Sequence, residues 1–299
     1  MGRPIYVEHL IDAPMEALWN ATQRPEIHER WDLRFTEIRY LPRTAESDPQ
    51  RFLYATRIGF GLRIAGEGES AGRSDRSGER TSALRFWSAD EKSLIREGSG
   101  YWRYAPTETG IRFITQYDYQ TRFGVAGRVL DLVFRPLLGW ATAWSFDRLR
   151  LWLERDIDPA VSFERSAIHW IARISLAFIW LYHGVVPKVL APAGEVALAT
   201  KTGVPPSLAP AFVVAAAAVE IALGLALLLV RDPRPLLALS TVLAIGLAIV
   251  TTALAPELLV APFQPITLGV AMAGLALAAV LAGRDLPQAR RCLREPPPK

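Results

Sequence analysis

The chain has 299 residues, 51% of them hydrophobic and 21% charged, with a formal net charge of +4 and a mean hydropathy of +0.16. A positive mean hydropathy at this length excludes a disordered chain and an ordinary soluble enzyme. Residues 166–299 hold only 16 of the 64 charged side chains but the whole net +4, so the basic balance belongs to an apolar half and argues against nucleic acid as a partner.

From the N-terminus, residues 6–11 alternate as a strand and close on Asp12-Ala13-Pro14, a cap followed by a proline at the start of a helix. The first residues lack the apolar run of a signal peptide. Residues 15–30 carry a helical pattern broken at Pro25. Six alternating runs follow, at 35–41, 52–58, 62–69, 81–88, 94–104 and 111–120, punctuated by Gly66, Gly72, Ser77-Gly78 and Thr109-Gly110 as antiparallel hairpins require. Residues 125–156 have the length of one long helix, which Pro136 is expected to bend. This order predicts an α+β soluble domain over residues 1–160, a sheet wrapped around a terminal helix.

Seven of the nine tryptophans precede residue 165. The surplus of rings reads either as packing under a curved sheet or as the lining of a hydrophobic cavity. The candidate lining is Tyr54, Phe86, Trp102, Tyr104 and Tyr117 from the strands and Trp140 and Trp144 from the long helix. The stretch from Leu130 to Trp144 is apolar on more than one face, so it is either enclosed or lies on a bilayer. Nothing here assembles a catalytic constellation. Gly59, Gly61, Gly66 and Gly68 fall in hairpins, and Ser70, Ser74 and Ser77 have no histidine beside them. His9 and His28 read as structural or surface residues, and the four histidines have no metal-ligand spacing. No cofactor motif is present.

Four apolar stretches, 166–187, 211–230, 236–255 and 263–283, can each cross a hydrocarbon core that needs about 20 residues. They predict an all-α four-helix transmembrane bundle over 166–285. Arg231 and Arg234 lie between the second and third spans, and Arg284, Arg290, Arg291, Arg294 and Lys299 follow the fourth. The positive-inside bias then puts both termini and the soluble domain in the cytoplasm, with the protein multi-pass in the cell (cytoplasmic) membrane. Residues 286–299 read as a basic cytoplasmic tail in which Cys292 is a bystander. The membrane polar site comprises Arg173, His183, Lys188 and Glu220. Counted along ideal helices, Glu220 and Arg173 differ in depth by about 6 Å, which predicts a Glu–Arg clamp. A ligand or proton path through Glu220, His183, Tyr182 and Lys188 is the alternative.

Val7-Glu-His-Leu-Ile-Asp-Ala-Pro-Met-Glu-Ala-Leu-Trp19, followed by Glu29-Arg-Trp31, resembles the opening of the START-like superfamily, also called SRPBCC or polyketide cyclase-like. That resemblance implies a helix-grip fold around a hydrophobic cavity. Ala172-Arg-Ile-Ser-Leu-Ala-Phe-Ile-Trp-Leu-Tyr-His-Gly-Val-Val-Pro-Lys188 resembles the first span of the DoxX-like membrane family. Thr202-Gly203, Val219-Glu-Ile-Ala-Leu-Gly224 and Pro262-Phe-Gln-Pro-Ile-Thr267 fit the same family in order. Together the resemblances imply a START-like domain that binds a hydrophobic small molecule or lipid, carried on a DoxX-like bundle. Some DoxX-like proteins are linked to quinone and sulfur redox chemistry. The second reading is therefore a quinone-linked oxidoreductase subunit, without its own cofactor, acting with a redox partner subunit. Membrane lipid is the expected partner in either case. Transport would call for broken helices, of which four short spans offer few.

Overall fold

The computed structural model describes residues 3–45, 47–59, 61–76, 78–260 and 265–297. The chain forms two compact units, one built from Met1–Ser162 and Asp285–Lys299, the other from Phe163–Arg284.

In the first unit, β1 (Ile5–Ile11), β2 (Glu37–Tyr40), β3 (Arg51–Gly59), β4 (Leu62–Arg76), β5 (Glu79–Trp87), β6 (Ile95–Thr107) and β7 (Gly110–Thr121) form one antiparallel sheet, ordered β1-β7-β6-β5-β4-β3-β2. Two short helices, α1 (Met15–Gln23) and α2 (Pro25–Trp31), separate β1 from β2 in the chain, and α3 (Gly124–Arg155) packs along β1 and β7. This is the α+β helix-grip arrangement that the sequence implies. The break at Pro25 has a local cause. Arg24, the residue before proline, is driven to φ −100°, ψ 119°, out of the helical region. The expected cap is displaced: Pro14, not Asp12, stands at the start of α1, and the Asp12 amide donates instead to Glu154 Oε1 at 3.0 Å. Strand β4 runs past the predicted end at residue 69 because a bulge between Ser70 and Gly72 lets its pairing with β5 continue to Arg76.

Alternation puts Phe52, Tyr54 and Phe86 on one face, and glycines on the neighbouring strands leave room for their rings. A methyl group on Gly66 would stand 2.3 Å from the Tyr54 ring, and one on Gly98 would stand 2.4 Å from the Phe86 ring. The aromatic rings thus lie across their glycine neighbours, which a β-carbon would forbid. At the other end of the sheet the core is dense. Phe113 stacks on Phe146 of α3 at 4.3 Å, and both are fully buried with Val7, Ile11, Tyr104 and Leu149.

The chain's last segment is not a free tail. Leu293 exchanges backbone hydrogen bonds with Glu8 at 2.9 Å in both directions, extending the sheet beyond its β1 edge. Ala289 and Cys292 join the hydrophobic core, with Cys292 Sγ 3.2 Å from the Ala143 carbonyl. Burial pushes that thiol above its ordinary range. Asp147 of α3, with a fully buried side chain, holds the strap: Oδ2 accepts from the Gln288 amide at 2.7 Å and from Arg291 Nη1 at 3.0 Å. Its Oδ1 meets His9 Nε2 at 3.0 Å and Arg150 Nε at 2.7 Å. Segment 286–299 therefore belongs to the first unit, and Cys292 is not a bystander, because its thiol is a core group. Lys299 lies outside the described residues.

The second unit holds all but the first four residues of α4 (Pro159–Val185), which continues as a π-helical turn Val186–Leu190, then α5 (Ala193–Lys201), α6 (Ala209–Leu229), α7 (Arg234–Leu254) and α8 (Pro265–Ala282). Among the described residues four helical segments, Pro159–Leu190, Ala209–Leu229, Arg234–Leu254 and Pro265–Ala282, are long and apolar enough to cross a membrane. The helix α5, between the first two, was not legible as a helix. Pro262-Phe-Gln264, the start of the last DoxX-like motif, lies outside the described residues. Small residues set the packing. Gly184 of α4 faces the Ala217 carbonyl and Ile221 of α6, while Gly224 of α6 faces the Ala177 carbonyl and Leu181. Gly269 of α8 lies against Ala244 and Ala248 of α7. Polar groups are matched across helices: Trp180 Nε1 donates to Ser240 Oγ at 2.7 Å, and His169 Nδ1 lies 2.7 Å from the Ala279 carbonyl.

Candidate functional site

A cavity of about 600 Å³ opens between the sheet face and the helices α2 and α3 of the first unit. Phe52, Tyr54, Ile64, Leu84 and Phe86 supply its apolar strand wall, and Leu137, Leu138 and Ala141 close it from α3. The volume lies within the usual range for small-ligand sites. A polar cluster is set into this apolar surround. Arg34 forks onto Asp32 with Nε 2.9 Å from Oδ1 and Nη2 2.6 Å from Oδ2, and His28 Nε2 lies 2.9 Å from Oδ2. His28 and Arg34 line the cavity, whereas the Asp32 side chain behind them is wholly buried. Burial alone would raise the Asp32 pKa, but the charge and hydrogen bonds of Arg34 and His28 outweigh it and hold the carboxyl below its ordinary range. Thr22, Gln23 and Ser82 add uncharged polar groups, with Ser82 Oγ 3.3 Å from Gln23 Oε1. Burial pushes the Tyr54 phenol up to about 12, so it stays a neutral donor.

Of the seven predicted lining residues, Tyr54, Phe86, Trp102 and Tyr117 line the cavity. Tyr104 does not: it is fully buried beneath α1, its hydroxyl 2.7 Å from Thr22 Oγ1 and accepting from Gln23 Nε2 at 3.0 Å. Trp140 and Trp144 also stand apart. The helix α3 presents Phe134, Leu137, Leu138 and Ala141 to the cavity, and Trp140 is turned about 100° away from its neighbour Ala141. Trp144 is buried in the core and Trp140 is exposed. The sequence reading missed the His28–Asp32–Arg34 cluster. Its one legible signal was His28 and Asp32 at i, i+4, which a helix places side by side.

The polar residues of the second unit divide differently from the expected clamp. Lys188 Nζ lies 3.1 Å from Glu220 Oε2 and 3.5 Å from Glu195 Oε2, with Lys188 and Glu220 both about nine-tenths buried. Glu220 Oε2 has no further hydrogen-bond partner among the described residues. Pro187 explains how Lys188 gets there. Having no N–H, it cannot bond the His183 carbonyl, the chain opens into the π turn, and Lys188 Nζ reaches back to that carbonyl at 3.5 Å. His183 thus contributes its carbonyl oxygen to Lys188. Arg173 is not the partner of Glu220. Its Nε donates to the Leu227 carbonyl and its Nη2 to the Val230 carbonyl at 2.5 Å, so it caps the end of α6. The glycine contacts fix this register. With Gly184 opposite 217–221 and Gly224 opposite 177–181, antiparallel helices bring residue 173 to 227–230, two turns from Glu220.

A DoxX-like family model matches residues 177–277. YndG, an uncharacterised membrane protein of Bacillus subtilis, is 47% identical over 204 residues, which cover 66% of this chain and 75% of the relative. Among solved structures, protein NE0264 from Nitrosomonas europaea aligns with 52% of this chain and 96% of its own at 15% identity and a TM-score of 0.37. A STAR-related lipid transfer protein from Xanthomonas axonopodis aligns with 50% of this chain and 85% of its own at 14% identity and a TM-score of 0.36. The chain belongs to the same membrane-protein family as YndG, with a DoxX-like domain in its C-terminal half.

Proposed function

We propose that the first unit binds a hydrophobic small molecule or lipid in its cavity, at the cytoplasmic face of the membrane that the DoxX-like bundle spans. The observation that carries this reading is the cavity of about 600 Å³, walled by rings and aliphatic side chains with one buried charged cluster on its surface. Such a site favours an apolar body with one polar end near Arg34 and His28. The quinone-linked alternative is not needed to account for Glu220, which has a partner, Lys188, within the protein. The test fills the cavity. Native mass spectrometry of the full chain in mild detergent should detect a co-purifying apolar molecule, and Ala141→Trp should abolish it while leaving the protein folded. Retention of the same molecule by Ala141→Trp would refute the cavity as its site.

The orientation rests on Arg231 between α6 and α7, on Arg234 at the start of α7, and on Arg284 after α8. The first unit contains both the segment before the spans and the segment after them, as an even number of crossings requires. In intact cells a membrane-impermeant maleimide should label Gly203→Cys and leave Asp232→Cys unlabelled until the membrane is opened. The reverse pattern would overturn the cytoplasmic placement.

A further inference from the structure

The first half of α3 carries an apolar stripe that the fold leaves exposed and that the cavity uses only at Leu137. Val125, Val129, Leu132, Val133, Leu137 and Trp140 recur at helical spacing and are 45–75% exposed. Beyond Trp140 the pattern ends abruptly, and residues 142–149 are all buried. Isolated exposed leucines are ordinary, but six large apolar side chains in one row form a patch of several hundred Å², on the order of those that mark interaction sites.

The charges along the stripe favour one occupant. Residues 124–140 contain three charged side chains, Arg128, Asp131 and Arg135. The single acid is turned inward: Asp131 accepts from Tyr119 Oη at 2.6 Å and from Arg135 Nε at 2.7 Å, and Arg135 also bonds Asp118 at 2.7 Å. Arg128 is left as the one exposed charge. An apolar row with an exposed arginine near one end and an exposed tryptophan at the other matches the boundary between acyl chains and anionic headgroups. A bilayer is also always within reach, because the segment Pro159–Leu190 that can span it begins only three residues after Asp156, the C-cap of α3.

We propose that this stripe is a bilayer-docking surface, seated at headgroup depth on the membrane that the chain itself spans. Leu137 belongs both to the stripe and to the cavity wall, which makes the apolar surface continuous from lipid to cavity. On the ligand-binding reading above, the ligand is then a membrane-dissolved molecule that loads from the bilayer and not from water. The docking itself does not depend on that reading.

The experiment places nitroxide labels at Val129→Cys and Val133→Cys, and at Arg85→Cys on the sheet as a control, in the full chain carrying Cys292→Ser. Each chain is held as one protomer per nanodisc of phosphatidylcholine with one-third phosphatidylglycerol. Docking predicts that collisions with dissolved oxygen exceed those with a water-soluble nickel chelate at positions 129 and 133, and that the order reverses at position 85. Labels at 129 and 133 that meet the nickel chelate as freely as the control overturn the proposal. Labels shielded from both reagents overturn it as well, since protein would then cover the stripe. Because depth is read without any ligand, an empty cavity would sink the ligand-binding reading and leave the docking result standing.

Discussion

Asp147→Asn is expected to lower the stability of the first unit by about 3–5 kcal/mol, the usual cost of breaking a buried charge network by removing one partner. The side chain is fully buried and binds four groups on three elements: His9 on β1, Arg150 on its own helix, and the Gln288 amide and Arg291 on the terminal strap. An amide of the same shape offers one acceptor where the carboxylate offered two, so at least one of these donors loses its partner. Two readouts should move together. The urea transition of the near-ultraviolet tryptophan signal shifts to lower concentration, and Cys292, now screened in the core, becomes reactive to maleimide. An unchanged transition with Cys292 still protected would show that the strap does not depend on Asp147.

The same residue sets an acid limit. Burial would raise its pKa, but the bonds from His9, Arg150 and the Gln288 amide outweigh that and hold it at about 2, below the ordinary 3.8. A depressed carboxyl stabilises the fold at pH values above its unfolded pKa, and this contribution is lost as pH falls through the folded value. The window is therefore about pH 4 down to about pH 2, and Asp147 alone accounts for about 2 kcal/mol across it. Asp32 is depressed in the same direction and adds to the loss. In the Asp147→Asn chain the slope across this window should flatten.

The second large effect lies in the membrane unit. Lys188→Met strands a carboxylate in α6, and Glu220→Gln leaves the Lys188 ammonium with only the longer contacts to Glu195 and the His183 carbonyl, both at 3.5 Å, so each single change should destabilise the bundle. Losing both should cost less than the sum of the two, with a coupling of about 1 kcal/mol, as polar pairs in membranes show. Arg173→Gln should combine additively with Glu220→Gln, because Arg173 serves the Leu227 and Val230 carbonyls. Unfolding in mixed micelles with increasing dodecyl sulfate gives all the required differences. Coupling between Arg173 and Glu220 in place of Lys188 and Glu220 would restore the clamp and refute the register.

Those two cycles also mark where the sequence was legible. Among the described residues alternation found each of the seven strands, and hydropathy found the four helices long and apolar enough to span, because both signals are local. The Glu220 partner was hidden because Pro187 reads as the end of a helix, whereas the chain continues one π turn and carries Lys188 back over His183. Depth counted from span ends could not replace the interlock of Gly184 and Gly224, which slides Arg173 past Glu220 to the end of α6. In the cavity, even-numbered positions on β3 and β5 pointed inward as expected, but alternation says nothing about distance along a strand. Tyr104 accordingly shares its face with Trp102 yet lies under α1, bonded to Thr22 and Gln23. The strap was missed for a different reason. Its polar, proline-rich composition resembles a disordered end, and the groups that hold it, Asp147, Glu8 and the core around Cys292, lie far away in sequence.

That distance bears on how the protein is made. Gln288 and Arg291 follow Asp147 by 141 and 144 residues. At about 5–20 residues per second, a ribosome delivers them roughly 7–30 seconds after the aspartate. For that interval the N-terminal domain waits with its central acid half-neutralised and the outer edge of β1 open. It is sealed only after the last helix has been made and residues 288–293 have followed it. A nascent chain stalled or cut within the membrane segment never receives this closure. Its exposed β1 edge then distinguishes a chain that lacks the strap from one that carries it.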